Sequence, residues 1–237
     1  EAFLERGQKQ EALADLARAP ERKPEEPVRV HVLRAKVLEG MGQLEESLAQ
    51  LDRALELEPS FLDGLQLRGS VLDRLGRGAD AARDLERALA QSPHHALAAE
   101  SLAWLLLTGP TEARDPRRAL ELARKAAEQR PDLVYSQRTL GLACYRAGLI
   151  EDARAALERA VALPEGKTSP SGWVLLSMAR ARSGDVSGAR QALDKGSRRL
   201  SDPACRRFLG PSYLRRIEEM RAEAEAAIKR AVEPPGR

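Results

Sequence analysis

Residues 51–61 read LDRALELEPSF and residues 85–95 read LERALAQSPHH. Aligned, Leu51 falls on Leu85, Arg53 on Arg87, Ala54 on Ala88, Leu55 on Leu89 and Pro59 on Pro93. The shared spacing of leucine, alanine and proline predicts two copies of one structural unit. Pro59 and Pro93 are 34 residues apart, a period that belongs to stacked pairs of helices. Pro131 follows after 38 residues, and the four extra residues sit in the loop TGPTEARDP (108–116). Pro164 follows Pro131 after 33. The proline phase is kept along most of the chain.

Composition agrees with helices. Of 237 residues, 32% are charged and only 3% aromatic, with many Ala, Leu, Arg and Glu. Such side chains lose little rotamer freedom in a helix, whereas sheets favour β-branched and aromatic residues. The formal charge is +3 and the charges are interspersed. No basic stripe with interleaved aromatics marks a nucleic-acid binder. No apolar run approaches the roughly 20 residues needed to span a bilayer, and no signal peptide is expected before the first helix. Cys144 and Cys205 lie far apart in no metal-like spacing, so reduced thiols in a cytoplasmic setting are expected. The chain opens on Glu1 in what reads as mid-helix, so a longer parent protein is expected.

Within each unit the pattern is a helix, a short break and a second helix. Val30, Leu33, Val37 and Leu38 give the first helix its apolar period. Gly42 breaks it, and LEESLAQLDRALELEP points Leu44, Leu48, Leu51, Ala54 and Leu55 inward before Pro59 stops it. Small residues recur at fixed places. Ala35, Gly69, Ala103 and Gly141 lie in first helices; Ala81, Ala119, Ala153 and Ala189 lie in second helices, with Ser47 standing in once. They are expected to let paired helices approach closely.

Glycine or alanine at position 8, alanine at 20 and 27 and proline at 32 of a 34-residue helix pair resemble the tetratricopeptide repeat. The resemblance covers residues 28–61, 62–95, 96–133 with the insertion, 134–167 and, more loosely, 170–201, where Gly196 replaces the late alanine. Residues 1–27 read as a partial repeat and a proline-rich connector (PERKPEEP, 20–27), 202–231 as a capping helix, and 232–237 as a disordered tail. The resemblance implies an all-α fold, a right-handed superhelical solenoid of stacked helix-turn-helix repeats closed by the capping helix. LAWLLLTGPTEARDPRRALELARKAAE and GWVLLSMARARSGDVSGARQALDK are similar to arrays in large bacterial multidomain proteins, often attached to serine/threonine kinase domains. The kinase motifs themselves do not occur in the sequence.

No converging catalytic groups are found. His94 and His95 follow a helix-ending proline, His31 lies in a first helix, and no set of three or four metal ligands has compatible spacing. Cys144 reads as a buried core thiol. The expectation is a non-catalytic protein, with no metal and no cofactor.

In tetratricopeptide arrays, positions 2, 5, 9, 12 and 13 face a concave groove. The resemblance therefore implies a partner-binding set of Lys36, Gln66, Ser70, Arg74, Trp104, Tyr135, Arg138, Leu142, Tyr145, Arg146, Met178 and Arg182. Its arginines and aromatics suit a protein or peptide partner carrying carboxylates, and no nucleic acid or membrane. The charge reversal of Arg138 and Arg146 to Glu is expected to weaken binding without lowering stability. Asparagine is absent, so the lysine–asparagine clamp of chaperone-binding arrays cannot be assembled. The competing expectation is a regulatory or substrate-docking module of a multidomain enzyme such as a bacterial kinase.

Overall fold

Proline and glycine set the limits of the helices. Glu58, Ser92 and Arg130 each precede a proline, which disfavours helical backbone in the residue before it. All three are non-helical, at φ −137°, −136° and −132°, and each ends a helix. Four turns between helices pass through a left-handed glycine: Gly42, Gly76, Gly148 and Gly184, with φ between 77° and 86°. A side chain there would be strained, so glycine is the natural closure. The turn at 108–116 has no such glycine. It closes instead through Asp115, whose side chain accepts from the Arg118 amide at 3.0 Å, with Pro116 opening the helix that follows,.

The computed structural model describes residues 26–109 and 114–232, with Gln8 and Glu11 helical besides. The expected partial repeat, most of the connector, part of the insertion and the tail beyond Val232 lie outside the described residues. The first repeat pairs α1 (Glu26–Gly40) with α2 (Leu44–Leu57), and the second α3 (Leu62–Arg74) with α4 (Gly78–Gln91). The third pairs α5 (Ala96–Thr108) with α6 (Pro116–Gln129), and the fourth α7 (Val134–Arg146) with α8 (Ile150–Ala162). The fifth, after a 3₁₀ turn at Glu165–Thr168, pairs α9 (Pro170–Arg182) with α10 (Val186–Leu200). A short α11 (Pro203–Leu209) and a long α12 (Pro211–Val232) follow. No strand occurs among the described residues.

Two compact units divide the chain. Unit one takes Glu1–Pro93 with Arg207–Ser212; unit two takes His94–Arg206 with Tyr213–Arg237. In unit one α1 packs on α2, α2 on α3, α3 on α4, and α1 on α3. Val28, Val32, Ala35, Leu51, Ala54 and Val71 belong to its core. In unit two each helix from α5 to α10 packs on the next, and α5, α7 and α9 line up as successive first helices. Leu102, Leu142, Leu157, Leu175 and Leu176 are fully buried there.

The small residues make this packing possible. A Cβ on Gly69 would lie 2.7 Å from Leu85 Cγ, and one on Gly141 2.4 Å from Leu157 Cγ. Ala35, Ala103, Ala81, Ala119, Ala153 and Ala189 are fully buried. Ser47, the exception, keeps the site by donating its hydroxyl to the Ala35 carbonyl at 2.8 Å, so its burial leaves nothing unpaired,.

One local expectation changes. Helix α1 as described includes Glu26 and Pro27, the last two residues of the expected connector. Its buried stripe is Val28, Val32 and Ala35, while Leu33 is 47% exposed. Among ion pairs, Arg154 meets Glu151 at 2.9 Å and Glu158 meets Arg180 of the following repeat at 3.0 Å.

Gly196 tests the packing argument. Its missing Cβ would meet Val174 Cγ2 at 2.9 Å, the Pro170 carbonyl oxygen at 3.1 Å and the Val174 amide nitrogen at 3.2 Å. Two of these are backbone atoms of α9, which cannot turn aside. On an open helix Gly→Ala gains up to about 1 kcal/mol. Here Gly196→Ala is expected to destabilise by about 1–3 kcal/mol through overpacking, read as a lower Tm by calorimetry; a raised Tm would refute the close approach.

Candidate functional site

Helix α12 is amphipathic and long, 22 residues, or about 33 Å at 1.5 Å per residue. Lys229 and Arg230 stand in its last turn, where the helix dipole favours cations,. Its stripe of Ile217, Met220, Ala224, Ala227 and Ile228 is buried. The partners of that stripe locate the helix in unit two. Tyr213 stacks on Trp104 of α5 with ring centroids 5.5 Å apart. Arg216, itself buried, donates to Thr108 Oγ1 at 3.1 Å. Glu223 accepts from both terminal nitrogens of Arg146 of α7, at 2.5 and 2.7 Å. Ala227 and Ile228 join Ala181 and Ala189 of the last repeat. The expected cap thus covers the final helix pair with its end only; its length lies along the first helices of the third, fourth and fifth repeats.

Arg138 of α7 is the centre of this contact. It is 4% exposed, and a buried guanidinium requires partners on every side. Its Cζ stands 4.1 Å from the Trp104 ring centroid, 5.1 Å from Tyr135 and 5.8 Å from Tyr213, within the range of cation–π attraction. Nη1 donates to the Tyr213 hydroxyl at 2.5 Å and to Ser171 Oγ at 3.4 Å. Nη2 lies 3.7 Å from Glu100 Oε1, which also accepts from Thr139 at 2.7 Å. Two buried donors in this cluster, Trp104 Nε1 and Arg138 Nε, have no hydrogen-bond partner among the described residues. Each such group costs about 1–3 kcal/mol.

The residues expected in a groove divide into several sets. Trp104, Tyr135 and Arg138 come together, and the structure adds Tyr213, Glu100 and Ser171 to them. Around Tyr145 gather Arg146 and Arg182, 5.6 and 5.5 Å from its ring. Leu142 and Met178 are fully buried, and Trp104 and Tyr145 nearly so; Tyr135 is 52% exposed. Arg182 is exposed. In unit one Arg74 pairs with Glu39 at 2.9 Å, Gln66 and Ser70 are half-buried, and Lys36 is exposed on a cleft with Val32, Leu33 and Phe61. Tyr213 lies on the apolar stripe of α12, four residues before Ile217, and its partners were not readable from the stripe; Arg216 lies on the stripe's flank,.

The histidines and cysteines have structural surroundings. His95 caps α5 by accepting from the Ala98 amide at 3.2 Å, and His31 bonds Gln50 at 2.8 Å. Burial pushes the Cys144 thiol above its ordinary pKa, and Cys144 and Cys205 are both free. No cluster of three or more His, Cys, Asp or Glu side chains suited to a metal occurs among the described residues.

Burial changes the outcome expected for Arg138. Arg138→Glu sets a carboxylate beside Glu100 in a dry site, and breaking a buried pair costs about 3–5 kcal/mol. A fall in Tm of roughly 10 °C follows. Arg146, partly open to solvent, should cost about 1 kcal/mol or less when reversed. Thermal melts of the two single variants check this, and equal melting points would show that the Arg138 network is not needed for stability.

A family model for the tetratricopeptide repeat matches residues 32–82, 67–111 and 112–170, more than half of the chain. A TPR repeat-containing protein of Pseudomonas aeruginosa is 27% identical over 161 residues, which is 68% of this chain. The chain spans only 27% of the length of that relative. Among solved structures, a thermophilic TPR protein of Thermus thermophilus superposes with a TM-score of 0.58 at 18% identity, over 87% of this chain and all of that one. MamA of Desulfovibrio magneticus gives 0.54 at 20% identity, covering 73% and 94% of the two chains. YrrB, a TPR protein with an unusual peptide-binding site, gives 0.53 at 20% identity, covering 80% and 94%. These likenesses establish the fold. With the repeat spacing, the helix pairs and the family match in agreement, the chain belongs to the tetratricopeptide-repeat family.

Proposed function

We propose that this chain is a non-catalytic protein–protein interaction scaffold whose first helices take a peptide or partner protein. One observation carries this reading: the first-helix face of unit two already holds a helix, α12, through arginine, aromatic and carboxylate contacts. Tyrosine, tryptophan and arginine are the residues on which binding energy concentrates. Peptide binding by YrrB supports the reading by fold analogy,. Arg146, Arg182 and Lys36 favour a partner carrying carboxylates. Interspersed charge argues against nucleic acid, and no described helix is long and apolar enough to cross a membrane. Reduced, buried cysteine favours the cytoplasm.

A second reading has its own support. The two stretches similar to kinase-associated bacterial arrays, and the far greater length of the Pseudomonas relative, favour a docking or regulatory module within a larger multidomain protein. Recovery of an enzyme domain bound to the chain would favour this second reading, and recovery of non-enzymatic partners alone would favour the scaffold.

The scaffold reading is tested by recovering partners on the immobilised chain and titrating one calorimetrically. Tyr135→Ala combined with Arg182→Glu removes two exposed first-helix groups. It is expected to lower partner affinity at least tenfold while circular dichroism stays unchanged. Unaltered affinity would move the binding surface elsewhere.

A further inference from the structure

Helix α12 is joined to the repeats as a core helix would be, but it is seated as a ligand is. The repeats of unit two pack pair upon pair along α5 to α10, whereas α12 arrives after α11 and touches the first helices through side-chain tips. Its anchors are Tyr213 at Trp104 and Arg138, Ile217 and Met220 along the stripe, and Glu223 at Arg146. An aromatic anchor at one end, a buried apolar stripe and an ion pair further on describe a peptide in a groove,.

We infer that α12 is a tethered, displaceable occupant of the first-helix groove of repeats three to five, and that the groove's external partner is an amphipathic helix of the same chemistry. That partner carries an aromatic anchor, apolar residues four and seven positions later, and a carboxylate at the tenth, matching Tyr213, Ile217, Met220 and Glu223. Two observations choose this occupant: the charge complement at Arg146 and the aromatic complement at Trp104 and Arg138. The inference rests on the scaffold reading and deepens it by naming the partner's pattern. A short tether holds α12 at an effective concentration on the order of millimolar. A partner therefore binds only the open fraction, and its apparent affinity falls by that fraction. Binding by the intact chain is thus gated by α12 itself.

The test uses the full chain and a fluorescein-labelled synthetic peptide of residues 211–232. Tyr213→Ala with Glu223→Ala weakens α12 without altering the groove. By anisotropy this variant is expected to bind the peptide at least tenfold more tightly than the unaltered chain. A peptide carrying Glu223→Lys should bind it about tenfold more weakly than the native peptide, and Arg146→Glu in the protein should restore that peptide. A folded variant that takes the peptide no better than the parent chain overturns the inference, as does failure of the charge swap. Should the double variant not fold, hydrogen exchange on the unaltered chain decides. Amides of α12 exchanging at least tenfold faster than those of α7 and α9 support displacement, and equal rates refute it. A weakened variant that instead forms dimers by light scattering assigns the groove to a second copy's α12 and overturns the external partner. A recovered partner that binds parent and weakened chains alike defeats this inference and leaves the scaffold reading standing. Peptide capture with no recovered partner defeats only the scaffold reading.

Discussion

The distance between the two helices of a pair is fixed where Leu85 lies over Gly69 and Leu157 over Gly141. A helix hairpin of this length cannot hide its own apolar stripe and survives by being covered on both sides. Covering it requires backbones close enough for leucine to reach across, and only glycine or alanine leaves that room. Where Ser47 occupies such a place, its hydroxyl finds the Ala35 carbonyl, so the geometry is kept by chemistry instead of by size. At Gly196 the neighbouring backbone is nearer still, and even the alanine usual at that place is excluded. Register, stacking and the alignment of the first helices all depend on these contacts.

Alignment of first helices creates the setting for Arg138. A guanidinium in that position would be costly if left alone. It is accommodated because α5 brings Trp104 and Glu100, α9 brings Ser171, and α12 brings Tyr213. Four helices meet at one cation. The cluster holds α12 in place through the Tyr213 hydroxyl and ring.

Much of this was legible in the sequence, and what was missed has physical causes. The proline phase gave the second-helix ends because pre-proline backbone is restricted whatever surrounds it. The small-residue positions were readable because close packing admits few side chains. Phase within α1 was misjudged, since Leu33 fits a helical stripe as well as Val32 does and only tertiary contacts choose between them. The seat of α12 was not legible at all. An amphipathic stripe says that a helix is covered, not by what, and both the end of the array and the first-helix face offered apolar surface. Tyr213 continues the stripe and so read as one more covered position, and Arg216 carried no signal because a polar tip beside a stripe normally faces water. The residues expected in a groove were assigned by repeat position, and position could not reveal that Leu142 and Met178 are wholly enclosed.

The third hairpin differs from the other four in how it turns, and the difference bears on how such arrays diversify. Its loop is stitched at the base: the Asp115 amide donates to the Leu106 carbonyl at 3.2 Å, and Arg114 Nε donates to the Gly109 carbonyl at 2.9 Å. Doubling a loop costs only about 0.6 kcal/mol in closure entropy. A hairpin held at its base in this way therefore tolerates added length between its helices, as the 38-residue step from Pro93 to Pro131 shows against 34 from Pro59 to Pro93.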